Sequence, residues 1–303
     1  MFETMVKLTF AMVLGIVLNK AKVFTHETNK SLSSLIVNVT SPALAIYSVS
    51  NQNQINAEVL KLVGFGAVLY LALPILALGV ILLMRPPRDR RGVYQMLLVF
   101  GNVSFMGFPV VEALYGSQAI FYINILNIPF TLLIFTYGVR LLRERGVGEP
   151  AAFKMSEVFS PGFVSAILSL CIYFLRIPMP GFAVSSLGFI GSLTTPLSML
   201  VIGSMIADFS LRDFFAQKQL FWLMLIKLLA MPLAGFWVAG LLFQDPVLVG
   251  TVTLSLAMPS GALCAMVSRQ YGNDAQANTA ALGVFITTVV SMVTIPLLIF
   301  ALL

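Results

Sequence analysis

Charge is what this sequence is shortest of. Asp, Glu, Lys and Arg make up 10% of 303 residues against 59% hydrophobic, and a soluble domain of that make-up could not cover its core with polar surface. Lipid must be the main solvent. Histidine and cysteine are nearly missing: His26 stands alone in a connecting loop, and Cys171 and Cys264 each lie inside an apolar run. Zinc proteolysis needs paired histidines, and serine chemistry needs a histidine or lysine base, so an intramembrane enzyme lacks its parts apart from Lys227 beside a serine. No disulfide framework, metal site or cofactor is indicated, and both thiols are expected to pack as small hydrophobes. Long polar stretches are absent too, which leaves no length for a soluble catalytic domain once the apolar runs are assigned to a bilayer.

Those runs fall at 4–19, 31–50, 58–84, 93–115, 118–140, 158–175, 181–207, 219–243, 246–268 and 277–303. At about 20 apolar residues per crossing they predict an all-α polytopic membrane protein with ten transmembrane helices. The first run has no small-x-small cleavage site and continues into Asn19-Lys20-Ala21-Lys22, so it reads as a retained helix rather than a signal peptide. The net charge of +6 resides in short loops, which points to topology and not to nucleic acid. One set of alternate loops carries Lys20, Lys22, Lys30, Arg85, Arg88, Arg90, Arg91, Arg140, Arg143, Arg145, Lys154, Arg212, Lys218 and Arg269; the opposite set has only Lys7, Lys61 and Arg176. The positive-inside rule makes the rich set cytoplasmic and puts both termini on the non-cytoplasmic side of a cell membrane.

Charged and turn residues cluster around Glu144–Pro150 and divide the chain into residues 1–145, a cytoplasmic linker at 146–157, and residues 158–303. Each half holds five runs. Val39-Thr40-Ser41-Pro42 is echoed by Leu193-Thr194-Thr195-Pro196, Leu71-Ala72-Leu73-Pro74 by Leu229-Ala230-Met231-Pro232, and Phe108-Pro109 by Met258-Pro259. Because an odd number of spans separates the halves, such a repeat is inverted in the membrane. Spans 5 and 10 do not align well.

The densest interruptions are Gly101-Asn102-Val103-Ser104 through Gly107-Phe108-Pro109 in span 4 and Ser255 through Met258-Pro259-Ser260-Gly261 in span 9. Proline removes a backbone donor and clashes with the carbonyl four residues back, and broken backbone at membrane depth survives only inside protein or beside water. Matched breaks in two halves point to a transporter site, where freed N–H groups of Val110, Val111, Ser260 and Gly261 would face an anion. Asn102 must face the bundle interior, either as a ligand donor or as a link between helices. Asn124 and Asn127, three apart on one helical face, carry the same two readings, as links between spans 4 and 5 or as ligand donors. Thr40, Ser41 and Pro42 with Thr194, Thr195 and Pro196 support the helix breaks or tie helices together. Glu112 and Lys227 are the ionisable groups furthest from the ends of the runs and serve coupling or charge attraction, unless Lys227 reaches toward the cytoplasmic face on its long stem.

Taken together, Asn38-Val39-Thr40-Ser41-Pro42-Ala43-Leu44, Gly101-Asn102 with Gly107-Phe108-Pro109, Leu114-Tyr115-Gly116, Thr195-Pro196-Leu197-Ser198, Met258-Pro259-Ser260-Gly261 and Tyr271-Gly272 resemble the auxin efflux carrier family over nearly the whole chain. The resemblance is to the compact prokaryotic malate or malonate permease type, since the long central loop of the plant members is absent. It implies two inverted five-helix repeats, spans 4 and 9 crossing at their prolines, and a carboxylate held at the crossing with Asn102 as the contacting amide. The function expected is secondary transport of a small organic anion by alternating access, the partners being that anion, membrane lipid and a second copy of the chain. A bile-acid-type sodium symporter is the alternative, and Glu112 is the only acid near either break to serve its ion sites. A non-transport membrane protein would not need paired discontinuous helices.

Overall fold

Hydrocarbon offers a peptide group no hydrogen bond, so an apolar chain in lipid closes its backbone bonds within each segment and becomes helical. The computed structural model describes residues 2–50, 57–142, 159–207 and 218–302, and these are nearly all helical, with no β-strand. In order they form α1 (Phe2–Lys20), α2 (His26–Leu35), α3 (Ser41–Tyr47), α4 (Ala57–Met84), α5 (Arg91–Val99), α6 (Phe108–Tyr115), α7 (Ser117–Leu133) and α8 (Val139–Leu142). There follow α9 (Pro161–Leu175), α10 (Gly181–Gly191), α11 (Thr194–Ala207), α12 (Lys218–Leu225), α13 (Met231–Leu242), α14 (Pro246–Ala257), α15 (Ala262–Tyr271) and α16 (Asp274–Leu302). Among the described residues, five helical stretches are long and apolar enough to cross a membrane: Ala57–Met84, Ser117–Leu142, Gly181–Met205, Gln219–Leu242 and Asp274–Leu302. Large apolar side chains such as Leu83, Leu241 and Phe300 are exposed, as expected of surfaces that meet lipid. The linker at 146–157, with Arg143, Arg145, Lys154 and Arg212, lies outside the described residues.

Short π-helical turns join α2 to α3 (Ile36–Thr40), lead into α6 (Val103–Gly107), join α7 to α8 (Ile134–Gly138) and join α12 to α13 (Ile226–Ala230). Three of them stand two residues ahead of a proline: Pro42, Pro109 and Pro232. Proline has no N–H to give and crowds the preceding turn. One extra residue widens that turn, so the bond skips back five positions, from Ser41 N–H to Ile36 O and from Met231 N–H to Ile226 O. Helices therefore continue through these prolines.

The chain forms two compact units, each drawing on both sequence halves. The first comprises Met1–Leu60, Val103–Asn127 and Phe159–Ser210. Within it α1 lies against α11, and Gly15 and Gly203 let the backbones touch: a methyl at Gly15 would overlap the Leu200 carbonyl, and one at Gly203 the Met12 carbonyl. Small residues at close helix contacts are the usual means of association in lipid, where apolar burial gives little drive. Asn19 and Asn29 both donate to Ser204 Oγ, at 3.1 and 2.8 Å, and tie α1 and α2 to α11. Cys171 is exposed on α9 rather than packed, whereas Cys264 is buried as expected.

The second unit comprises Lys61–Asn102, Ile128–Val158 and Leu211–Leu303. Here α5 packs on α16, α8 and α15, and α13 on α14. Tyr70, Phe100 and Phe130 form edge-on ring contacts at 6.0 and 5.5 Å between centroids, and Gln95 Nε2 donates to Pro74 O at 2.9 Å and to the Tyr137 hydroxyl at 2.7 Å.

Candidate functional site

Within the second unit, two interruptions meet backbone to backbone. Helix α5 ends at Val99, and Phe100 and Gly101 run extended past Pro259–Gly261, part of the stretch 258–261 between α14 and α15. Gly101 and Ser260 form an isolated antiparallel bridge; Asn102 N–H donates to Pro259 O at 2.7 Å and Gly261 N–H to Phe100 O at 2.9 Å. The approach demands glycine at 261, where a Cβ would stand 2.9 Å from the Gly101 carbonyl oxygen.

A helix that stops inside the membrane leaves carbonyls without partners, and the neighbours supply them one by one. Met96 O accepts from Phe100 N–H at 2.9 Å, Leu97 O from Ser260 Oγ at 2.7 Å, and Leu98 O from Lys227 Nζ at 2.9 Å. Ser260 N–H in turn donates to Thr287 Oγ1 on α16 at 3.0 Å. Lys227, in the π-helical turn before α13, is 1% exposed. Its ammonium satisfies a carbonyl of the stopped helix, Leu98 O, and is buried there. No described contact pairs it with a carboxylate. Asn102 is half-buried, and Ser255 Oγ, close to the interruption in sequence, is buried without a partner among the described residues.

Span 4 is interrupted at Phe100–Asn102, not at Pro109 as the proline suggested. Pro109, Val110 and Val111 lie inside the helical stretch Val103–Tyr115, whose π-helical turn absorbs the missing donor. In span 9 the interruption does contain Pro259, but the N–H groups of Ser260 and Gly261 are occupied by Thr287 and Phe100 rather than left free.

The structure thus gathers Asn102, Lys227, Pro259, Ser260 and Gly261 around one point of the second unit. The other sequence-predicted residues belong to the first unit. There Thr195 Oγ1 donates to Glu112 Oε2 at 2.5 Å, joining α11 to α6. Asn127 Nδ2 donates to Ser104 Oγ at 3.4 Å, a link between spans 4 and 5, and Asn124 Oδ1 is buried without a partner among the described residues. Thr40 back-bonds to Ile36 O at 3.5 Å, and Pro42 and Pro196 sit in the first turns of α3 and α11. The hydroxyls of Ser41 and Thr194 are buried without partners among the described residues. Sequence reasoning missed Thr287, though the Thr287-Thr288 pair midway along α16, flanked by Val284, Phe285, Ile286, Val289 and Val290, was a visible sign of a polar demand nearby.

Residues 1–299 match the family described as membrane transport protein. Among curated relatives, an uncharacterized transporter of Methanocaldococcus jannaschii is 22% identical over 289 residues, covering 91% of this chain and 90% of the relative. An uncharacterized transporter of Methanothermobacter thermautotrophicus is 24% identical over 302 residues, covering 97% and 96%. Matched along almost all of its length, the chain belongs to the membrane transport protein family, that of the auxin efflux carriers its motifs resemble.

Proposed function

We propose that this membrane transporter carries a small organic anion, a mono- or dicarboxylate, by alternating access, and that the anion binds beside the paired interruptions at Phe100–Asn102 and Pro259–Gly261. The observation that carries the reading is the pairing itself: two unwound stretches, one from each sequence half, share backbone hydrogen bonds and leave the Asn102 amide half-buried beside them. Unwound backbone at membrane depth is where secondary transporters place substrate. Two ionisable groups are placed there by described contacts, the Cys264 thiol, which donates to Met96 O and Phe100 O, and Lys227; the one that carries charge is cationic, which suits an anion. The reading extends to ten spans in two inverted five-helix repeats, 1–145 and 158–303, to a crossing of spans 4 and 9 in the membrane, to a homodimer, and to termini on the non-cytoplasmic side. Purified protein in proteoliposomes should take up labelled malate or malonate in exchange for internal carboxylate, at rates well above protein-free vesicles. Exchange of phosphate esters or cations, with no carboxylate flux, would overturn the assignment.

A further inference from the structure

Resting on that reading, we propose that Lys227 is a tethered counter-ion: its ammonium fills, by covalent attachment, the cation position at the carbonyl end of the interrupted helix α5, so the site needs no dissociable metal cation. The stopped end of a helix concentrates negative partial charge on its last carbonyls. In transporters with discontinuous helices such ends and the unwound carbonyls beside them coordinate sodium ions or protons. Here Leu97 O is met by a hydroxyl, Phe100 O by a backbone N–H, and Leu98 O by Lys227 Nζ.

Three features fit an ion built into the protein. The ammonium is buried and lacks a carboxylate partner among the described residues, so the carbonyl end of α5 is the electrostatic complement it contacts. It also stands at the pairing point, since a Cβ built on Gly101 would lie 3.6 Å from Nζ. And its place follows from the π-helical turn Ile226–Ala230, which the chain adopts ahead of Pro232. One added residue turns the side chains before it by about 100° relative to those after it. A carboxylate substrate would meet a cationic group that cannot diffuse away, and the empty carrier would keep it.

The test uses purified full-length protein in detergent and needs no substrate. The wild-type thermal midpoint should be the same in sodium, lithium or choline chloride at equal ionic strength. Lys227→Ala should melt lower in choline chloride, by roughly 4 °C or more, and methylammonium or sodium should restore at least half of that loss in a dose-dependent way. Lys227→Met keeps the stem volume without the charge, and should show the same loss with little rescue because its side chain fills the space. The proposal is overturned if Lys227→Met melts like the wild type in choline, if Lys227→Ala is lowered equally in every salt, or if the wild type itself is stabilised by sodium over choline. Should the cation pattern appear while labelled carboxylates show no flux, the counter-ion stands and the anion assignment fails.

Discussion

On the proposed reading Asn102 serves the paired interruption in two separable ways: its backbone N–H bonds Pro259 O, and its half-buried amide would meet the ligand. Asn102→Leu keeps the backbone bond and a similar volume, and removes only the amide. Carboxylate affinity should fall by about 10- to 100-fold, the equivalent of a hydrogen bond to a charged group, while the thermal midpoint stays within about 2 °C of wild type. Equal affinity in wild type and variant, read by substrate-dependent thermal shift, would assign the amide to helix linkage alone. Gly261 is different in kind. With a Cβ there only 2.9 Å from Gly101 O, Gly261→Val must part the two strands of backbone, and both flux and midpoint should collapse. Gly261→Ala should fall between, losing flux more than stability. Lys227 shows why residue-scale function was only partly legible in the sequence: a buried lysine announces a polar demand, but a partner that is a main-chain carbonyl, Leu98 O, leaves no trace in side-chain identities.

At the scale of elements, the apolar runs were legible because lipid fixes both the length and the helicity of a crossing segment; α4 and α16 coincide with runs 58–84 and 277–303 within a few residues. Breaks were harder. Pro109 looked like the stop in span 4, yet a π-helical turn accommodates it and the chain unwinds at Phe100–Asn102 instead. Whether a helix kinks, widens or stops at a proline depends on which neighbours can take up the freed groups, and those neighbours are distant in sequence. Glycines divide along the same line between contact and no contact. Gly203→Leu would drive a side chain into the Met12 carbonyl and push α1 off α11, at a cost of about 3 kcal/mol, seen as a clear drop in midpoint. Gly79→Ala in α4, where an added Cβ meets nothing within 4 Å, should leave the midpoint unchanged or raise it slightly.

For the molecule as a whole, direction follows from charge and membrane potential. An inside-negative potential drives each negative charge outward by about 2.3 kcal/mol per 100 mV, and on the counter-ion proposal the carrier would draw on no sodium gradient. Loaded vesicles of known orientation should therefore release carboxylate faster when a potassium diffusion potential makes the interior negative, with no effect of sodium. Uptake that requires an inward sodium or proton gradient would reverse this. The two interleaved units, each built from three stretches of chain, had no signature in composition or repeat, since they are defined by contacts between segments far apart.

That same separation governs how the protein can be made. Ser260 closes Leu97 O from 163 residues further on, and Lys227 closes Leu98 O from 129. Synthesis at about 5–20 residues per second leaves the end of α5 without those caps for on the order of 10 to 30 s after it emerges. During that interval the carbonyls can be satisfied only by water at the membrane surface or by the insertion machinery. The first half of the chain should accordingly stay loosely inserted, and a product truncated after Gln244 should be cleared by membrane proteases. Supplying residues 245–303 as a separate chain should rescue it, a complementation that pulse-chase labelling would follow directly.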